Sequence, residues 1–361
     1  MDKAIYSVIT GTGCYIPTRE IPNQYFLNHE FYDASGKKLT KSNKEIIHQF
    51  FDITTIEQRR YATDDLKASD LAFFAAREAI KNAGIDAETL DYVIVAHNFG
   101  DTSCNNNRSD IVPSLASRVK HLLQIENPNT VAYDILFGCP GWLQAVIQAN
   151  YYIKSGDAKR VLVIGTDVLS RVSDPHDRDS MLYADGAGAV VLEGKYSETP
   201  IGILAHQTRS DTLTHSNMLL MDKSYNADYR SQDELFLKMT GRKLYQYAIE
   251  TVPLAIKACL DKSGIAIDNI KKVLIHQANG KMDDVILKKF YALYGIENPP
   301  ELIMPMTISW LGNSSVATLP TLFDLIVKGK LENHSIGSGD TVVFASVGAG
   351  MNINAFVYKA V

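Results

Sequence analysis

An internal repeat is the sequence feature that most constrains how this chain of 361 residues can fold. Residues 82–96 (NAGIDAETLDYVIVA) align without a gap with residues 262–276 (KSGIAIDNIKKVLIH). Gly84 and Gly264 coincide in this alignment, and each copy ends in an aliphatic run typical of a buried strand. Because the offset, 264 − 84 = 180, is about half of the chain, we predict two halves with one order of strands and helices.

Two further pairs of segments extend the repeat. The segment after Cys139 matches the segment after Asn313. Cys139 and Asn313 each follow a glycine, and the segment after each of them is compatible with a helix. The triplet Ser-Gly-Asp precedes a strand-like run in each half, at residues 155–157 and 338–340. The repeat therefore covers several elements in each half of the chain.

The predicted strands alternate with helices and read as continuous apolar runs, which is typical of sheets that are buried on both faces. We therefore predict an α/β fold with two halves, residues 1–196 and residues 197–361, about a pseudo-twofold axis. Equivalent loops of the two halves would then meet near this axis. Residues that are far apart in the sequence would share one site.

Periodicity and turn residues predict the individual elements. The predicted helices span residues 67–83, 113–124, 142–153, 242–261 and 314–327. The predicted strands span residues 4–10, 92–96, 131–137, 160–165, 187–192, 272–276 and 342–347. Residues 15–50 read as polar and irregular, and residues 101–110 read as a polar loop.

Cys139 lies in the turn 137–142 (FGCPGW), between an apolar segment and a helix-compatible one. Pro140 suits the first turn of a helix, because its fixed φ fits there and its missing N–H would have no intrahelical partner. The free N–H groups and the dipole of a helix start favour a thiolate over a thiol. Cys139 is thus a candidate nucleophile, and the alternative is a small apolar cysteine buried beside a turn.

The repeat gives Cys139 two polar companions. Asn313 occupies in the second half the position of Cys139 in the first, and His276 occupies the position of Ala96. Cysteine can accept an acyl group from a thioester, and histidine and asparagine can both donate hydrogen bonds to a thioester or enolate oxygen. The plainer alternatives are a hydrogen-bonded core histidine and an asparagine that caps a helix. Because all three lie at equivalent strand ends, we predict one site.

Composition and spacing argue against several other classes of function. The net charge of −5, the pI near 6.0 and the lack of a Lys/Arg-rich run argue against a nucleic-acid partner. The sequence has neither signal-peptide features nor an apolar run of roughly 20 residues, so we expect a cytoplasmic protein without membrane contact. The cysteines and histidines lack metal-ligand spacings, so we expect no metal. Residues 183–189 lack the GxGxxG spacing of a dinucleotide site.

Five motifs carry a resemblance to a known family: GCPG at 138–141, DGAGA at 185–189, HQAN at 276–279, GNSS at 312–315 and SVGAG at 346–350. With them the chain resembles the thiolase superfamily and, within it, the β-ketoacyl-[acyl-carrier-protein] synthase III branch. HQAN followed by GNSS is a highly specific combination. The resemblance extends over nearly the whole chain. It implies the thiolase fold, in which two βαβαβαββ halves form a five-layer αβαβα sandwich.

The resemblance also implies a mechanism. Cys139 would be the acylated nucleophile, while His276 and Asn313 would promote decarboxylation of a malonyl thioester and stabilise the resulting enolate. The enolate would then attack the acyl group on Cys139 in a Claisen condensation. The N–H groups of Cys139 and Ala349 would form the oxyanion hole. Such enzymes are homodimers without metal or bound organic cofactor, and their acyl groups arrive on CoA or on acyl carrier protein.

Three further residues become candidates for substrate binding by the same resemblance. Val347 stands where the family usually has Phe, and Arg178 ends a segment that precedes the DGAGA motif. Val112 lies in the loop before the predicted helix 113–124, a region in which the family's partner subunit approaches the acyl pocket.

Departures from the family pattern bear on the substrate. The stretch 48–60 lacks the Trp and Arg that clamp the CoA adenine in the familiar bacterial enzyme, which puts CoA as the acyl donor in question. Extra residues around 26–45 and between His276 and Asn313, together with Val347, suggest an acyl group other than acetyl.

Three alternative functions fit the same motifs. Two are enzymatic: simple acyl transfer, and the joining of β-ketoacyl thioesters as in resorcinol- or aryl polyene-type secondary metabolism. The third is a non-catalytic thiolase-fold subunit that only binds acyl carrier protein. The intact Cys-His-Asn set argues against the third, because such a subunit needs no nucleophile.

Overall fold

Two β-sheets form the framework of the structure, a computed structural model that describes residues 3–229 and 233–361. The strands are β1 (Ala4–Tyr15), β2 (Arg19–Pro22), β3 (Gln58–Tyr61), β4 (Tyr92–Ala96), β5 (Asp101–Ser103), β6 (Asn106–Asp110), β7 (Val131–Ile135), β8 (Arg160–Val168), β9 (Asp185–Ser197), β10 (Gly202–Ser210), β11 (Leu219–Asp222), β12 (Phe236–Met239), β13 (Ile270–Ile275), β14 (Thr341–Gly348) and β15 (Asn352–Lys359). The helices are α1 (Asn43–Thr54), α2 (Ala68–Ala83), α3 (Leu115–Leu122), α4 (Gly141–Ser155), α5 (Thr212–His215), α6 (Gly241–Ser263), α7 (Gly280–Ala292), α8 (Ile308–Leu311) and α9 (Thr318–Val327).

The two large sheets repeat one strand order. The first is β1-β9-β8-β4-β7 and the second is β10-β15-β14-β13. In the first sheet β8 and β9 pair antiparallel, and β4 pairs parallel with β8. In the second sheet β14 and β15 pair antiparallel, and β13 pairs parallel with β14. The predicted duplication is thereby confirmed, and the described part of the second half has no counterpart of β7.

The repeated glycines end equivalent helices. Gly84 follows α2 with φ 66°, and Gly264 follows α6 with φ 72°. Both lie in the left-handed region, which glycine enters without a Cβ penalty, so each terminates its helix before the next strand. The spacing from helix to strand is therefore set by the same local signal in both halves.

The sheets and helices stack in five layers. Helices α4 and α9 lie between the two sheets, α2 and α3 cover the outer face of the first sheet, and α6 and α7 lie outside the second. Successive side chains of β14 point to opposite faces of the second sheet. Phe344 packs with residues of α4 and α9 in the core between the sheets, and Val343 packs with residues of α6 and α7 in the core on the other face. The predicted five-layer α/β sandwich is confirmed. Within the described residues no helix is long and apolar enough to cross a membrane.

Two segments that were predicted to be irregular contain regular elements. Residues 15–50 contain strand β2 and most of helix α1, where Ser42 and Glu45 form a capping box and Ile46 and Phe50 are buried on one face. Residues 101–110 form the hairpin β5–β6 instead of an irregular loop. In both cases the polar composition hid short elements that tertiary contacts stabilise.

The central layer makes Trp142 a sensitive position. This residue of α4 is 1% exposed, and its ring lies 6.1 Å from the ring of Phe344 and 6.3 Å from that of Phe356. We expect Trp142→Ala to lower the free energy of unfolding by about 3–5 kcal/mol, because the emptied volume lies between two sheets that cannot collapse onto it. Urea unfolding measures this change.

Lys154→Ala is the control for Trp142→Ala, since Lys154 is exposed on the same helix. It should change the free energy of unfolding by less than about 0.5 kcal/mol. Equal effects of the two substitutions would contradict the central position of α4.

Candidate active site

One cavity of about 290 Å³ brings the three predicted site residues together. Cys139, His276 and Asn313 all line it. The rest of its wall is largely apolar and comes mainly from the hairpin β11–β12 and from helices of the second half: Leu219, Leu220, Met221, Leu237, Met239, Leu244 and Met282. Polar side chains from three distant parts of the sequence thus face an apolar space.

Cys139 lies two residues before the start of α4 and is partly buried. The Ser315 hydroxyl donates a hydrogen bond to Cys139 Sγ over 3.5 Å, which favours the thiolate, but burial and the nearby Asp167 carboxylate favour the thiol. Burial dominates and raises the pKa of the Cys139 thiol to about 11. A backbone N–H at this helix start lowers the pKa, as the sequence predicts, but burial outweighs it and the thiol predominates at neutral pH.

His276 directly follows β13, and its backbone N–H donates to Ala345 O over 2.9 Å. Its side chain is 3% exposed, and neither ring nitrogen has a hydrogen-bond partner among the described residues. Burial lowers the pKa of His276 to about 4, so the imidazole is neutral at pH 7. The alternative of a hydrogen-bonded core histidine is thus wrong. An unpartnered imidazole at a cavity wall is available to a ligand.

Asn313 is held by its neighbours in a defined orientation. Its backbone N–H donates to Leu182 O over 3.0 Å, and its carbonyl accepts from Ala184 N–H over 2.8 Å. The side-chain Oδ1 accepts from Ser315 N–H over 2.9 Å, which leaves the amide NH₂ as the donor for other groups. This bond reaches the first N–H of the short turn Ser315–Ala317, but the N-cap positions of that turn and of α9 belong to Ser314 and Ala317, so Asn313 is not simply a helix N-cap.

Two backbone turns touch beside Cys139. A Cβ at Gly138 would lie 2.6 Å from Ala349 N, and a Cβ at Gly348 would lie 2.4 Å from Cys139 N. Real Cβ atoms do not approach backbone atoms this closely, so glycine is required at both positions. The peptide nitrogens of Cys139 and Ala349 are thereby brought to neighbouring turns at the cavity wall. Paired N–H groups of this kind can bind the oxygen of a thioester carbonyl.

The three candidate substrate-binding residues have different positions. Val347 lines the cavity that contains Cys139. Arg178 does not line it but lines an adjoining cavity of about 570 Å³, and the two cavities share Leu182 and Tyr245 among their wall residues. Val112 is 83% exposed and lines neither cavity, so it makes no contact with a substrate held within this chain's own cavities.

The sequence analysis missed a polar cluster beside Cys139. Asn98 donates from N and Nδ2 to the two carboxylate oxygens of Asp167, over 2.9 and 2.7 Å, and from Nδ2 to Ser315 Oγ over 3.0 Å. Asn98 follows β4, and Asp167 lies near the carboxyl end of its parallel neighbour β8. Polar residues at the ends of adjacent parallel strands were the available signal, because such ends meet at one edge of a sheet.

Comparisons with known proteins agree with this arrangement. Two family models match the chain, 3-oxoacyl-[acyl-carrier-protein (ACP)] synthase III over residues 133–212 and its C-terminal counterpart over residues 260–360. The β-ketoacyl-[acyl-carrier-protein] synthase III of Staphylococcus haemolyticus is 32% identical over 97% of this chain and 98% of the relative. That of Prochlorococcus marinus is 33% identical over 96% of this chain and 94% of the relative.

Solved structures give the same result for the fold. The 3-oxoacyl-[acyl-carrier-protein] synthase III of Aquifex aeolicus superposes with a TM-score of 0.77 and 28% identity, over 98% of this chain and 99% of the other. The stacked halves are therefore the thiolase fold, and the chain is a member of the thiolase superfamily. Within that superfamily it belongs to the β-ketoacyl-[acyl-carrier-protein] synthase III family.

The contact between the two turns can be tested at Gly348. Its φ of −169° is extended backbone that any residue adopts, so Gly348→Ala perturbs the contact alone. We expect this substitution to push the two turns apart, to lower the free energy of unfolding by about 1–3 kcal/mol and to abolish acylation of Cys139. Urea unfolding and the mass of the intact protein after exposure to an acyl thioester measure both effects.

Gly337→Ala is the control for Gly348→Ala, because the nearest atom to a Cβ at Gly337 is Asp340 Oδ2 at 3.9 Å. It should leave stability and acylation unchanged. Normal acylation of the Gly348→Ala protein would show that the spacing of the turns does not matter.

Proposed function

We propose that this protein is an acyltransferase of the β-ketoacyl-[acyl-carrier-protein] synthase III type. It condenses an acyl group held on Cys139 with a malonyl thioester. The observation that carries the proposal is the convergence of Cys139, His276 and Asn313 on one largely apolar cavity. The activity named for the relatives, which are about 32% identical over nearly the whole chain, supports it.

Acylation is the first step of the proposed reaction. The Cys139 thiol loses its proton and the sulfur attacks the carbonyl carbon of the acyl thioester, whose own thiol leaves with a proton. The oxygen that becomes negative during this attack is stabilised by the N–H groups of Cys139 and Ala349. One thioester replaces another, so the step needs no further energy source.

Decarboxylation and condensation follow at the same site. A malonyl thioester loses CO₂, and the enolate oxygen accepts hydrogen bonds from His276 and from the Asn313 amide NH₂. Because the pKa of His276 is about 4, the ring donates as a neutral imidazole and carries no charge into the apolar pocket. The enolate carbon attacks the acyl carbonyl on Cys139, and the released thiolate takes a proton.

The substrates and assembly belong to the same proposal. Acyl carrier protein delivers the thioesters, and Arg178 in the adjoining cavity binds the arm that carries them. The cavity that contains Val347 receives the acyl chain. No metal and no organic cofactor takes part, and the enzyme works in the cytoplasm. Residues 1–196 supply the nucleophile, and residues 197–361 supply the two hydrogen-bond donors.

A homodimer completes the proposal. Strand β7 is an edge of the five-stranded sheet, with the exposed side chain of Val131 at its start and that of Leu136 directly after its end. An unpaired edge strand can pair with another copy of itself. In such a dimer the loop that contains Val112 would reach the acyl pocket of the other subunit. Nucleic acid and membrane are not partners in this account.

The test offers a panel of acyl-CoA and acyl-carrier-protein thioesters to the protein and measures its intact mass. We expect wild type and His276→Ala to gain one acyl group and Cys139→Ala to gain none. We also expect His276→Ala to lose CO₂ release from a malonyl thioester by about 100-fold or more, because one of the enolate's hydrogen-bond donors is gone.

Cys104→Ala is the control for Cys139→Ala, since Cys104 is an exposed free cysteine outside the cavity. It should acylate like wild type. A wild-type protein without any adduct would refute the enzyme proposal and favour a non-catalytic binding subunit. Undiminished CO₂ release in His276→Ala would remove His276 from its proposed role.

A further inference from the structure

Ser315 has a backbone conformation that serine rarely adopts. Its φ is +53°, in the left-handed region, and its side chain is 3% exposed. Non-glycine residues are unfavourable there, so the surrounding contacts must hold Ser315 in place. This conformation allows one residue to face two site groups: its N–H donates to Asn313 Oδ1, and its hydroxyl lies 3.5 Å from Cys139 Sγ.

The direction of the hydrogen bond to Cys139 follows from the neighbouring amide. Asn98 Nδ2 carries two hydrogens, one directed to Asp167 Oδ2 over 2.7 Å and the other to Ser315 Oγ over 3.0 Å. Because Ser315 Oγ accepts from Asn98, its own hydrogen remains for the two acceptors beside it, Cys139 Sγ at 3.5 Å and the Asp167 carboxylate. When this hydrogen is directed to Cys139 Sγ, the serine hydroxyl is a donor to the sulfur. A donor stabilises a thiolate more than a thiol.

Asp167 fixes the orientation of Asn98. It is 1% exposed and accepts from both the N–H and the side-chain NH₂ of Asn98, so the amide cannot flip without losing a bond to a buried carboxylate. The other titratable groups around Cys139 are the phenol of Tyr183 and the neutral ring of His276. His97 lies near Asp167, but its ring pairs with the Asp134 carboxylate. Neither Tyr183 nor His276 brings a positive charge to the sulfur at neutral pH.

From these contacts we propose that Ser315 is a further catalytic residue, whose hydroxyl stabilises the Cys139 thiolate, and that Asn98 and Asp167 are positioning residues that orient this hydroxyl. The inference rests on the proposed function, since it assigns how the nucleophile of that reaction is formed. A buried sulfur without a cationic partner needs such a donor, because the low-dielectric cavity otherwise disfavours the charge.

The test measures the rate at which iodoacetamide alkylates Cys139 as a function of pH, by mass spectrometry of the peptide that contains it. At pH 8 the rate follows the thiolate fraction. We expect Ser315→Ala to react about tenfold more slowly than wild type at pH 8, and its rate profile to shift to higher pH. Asn98→Ala should change the rate in the same direction by a smaller factor, because the hydroxyl is retained but no longer oriented.

Two further variants separate the hydroxyl from a structural effect. Ser315→Gly also lacks the hydroxyl but adopts φ +53° freely, so a slow rate in both Ser315 variants excludes backbone strain as the cause. Ser314→Ala is the matched control, because Ser314 is a neighbouring buried serine whose hydroxyl pairs with Thr318 Oγ1 over 3.3 Å. It should alkylate like wild type.

The inference and the proposed function fail in different ways. Ser315→Ala and Ser315→Gly proteins with wild-type alkylation rates would overturn the role of Ser315, even if wild type still forms the acyl adduct on Cys139. An equal loss in Ser314→Ala would also overturn it. An unchanged rate in Asn98→Ala would overturn the positioning role of Asn98. Absence of any acyl adduct on wild type would instead overturn the proposed function.

Discussion

The close contact of two glycine turns is the constraint on which the site depends. Gly138 lies against the backbone of Ala349, and Gly348 lies against the backbone of Cys139. One turn begins the central helix α4 of the first half, and the other ends strand β14 of the second. The duplicated fold thus brings its halves together at the point where Cys139 is placed. Neither half alone could pair these two peptide nitrogens.

The second constraint is that the site is largely apolar and has no lysine or arginine among the described residues that line it. Burial keeps His276 neutral and Cys139 protonated at pH 7, so neither group is an ion before substrate binds. Chemistry on thioesters generates negative oxygen atoms transiently. Neutral donors with a fixed orientation stabilise such atoms strongly in a low-dielectric cavity. The side chain of Asn313 meets this requirement, since its Oδ1 is held by the Ser315 N–H and its NH₂ remains as the donor.

The sequence predicted the architecture because the duplication left local signals in both copies. Gly84 and Gly264 end equivalent helices, and the aliphatic runs after them form β4 and β13. The missing fifth strand of the second sheet was beyond that reasoning. Residues 302–306 include Pro305, which cannot donate to a strand ladder. The Ile303 carbonyl accepts from the Val273 N–H of β13, but this single backbone bond does not make a strand.

The candidate site was predictable for the residues at repeat-equivalent strand ends. Cys139, His276 and Asn313 were found because the repeat aligns the positions they occupy. The network of Asn98 and Asp167 was not found, since it depends on side-chain orientation across parallel strands. The charge state of Cys139 could not be predicted, because the helix start favours the thiolate and burial opposes it, and only the structure shows that burial is the larger effect. Both features depend on environment, which motif spacing does not encode.

In the proposed acyl-enzyme, the acyl carbonyl on Cys139 lies between the N–H groups of Cys139 and Ala349. Isotope-edited infrared spectroscopy of the protein acylated with a ¹³C-carbonyl group detects these two hydrogen bonds. Two hydrogen bonds to the oxygen weaken the carbonyl bond, so the stretching frequency should be lower in the folded acyl-enzyme than in the same protein unfolded in an aprotic solvent. Equal frequencies would contradict the account, because they would mean that no donor contacts the oxygen.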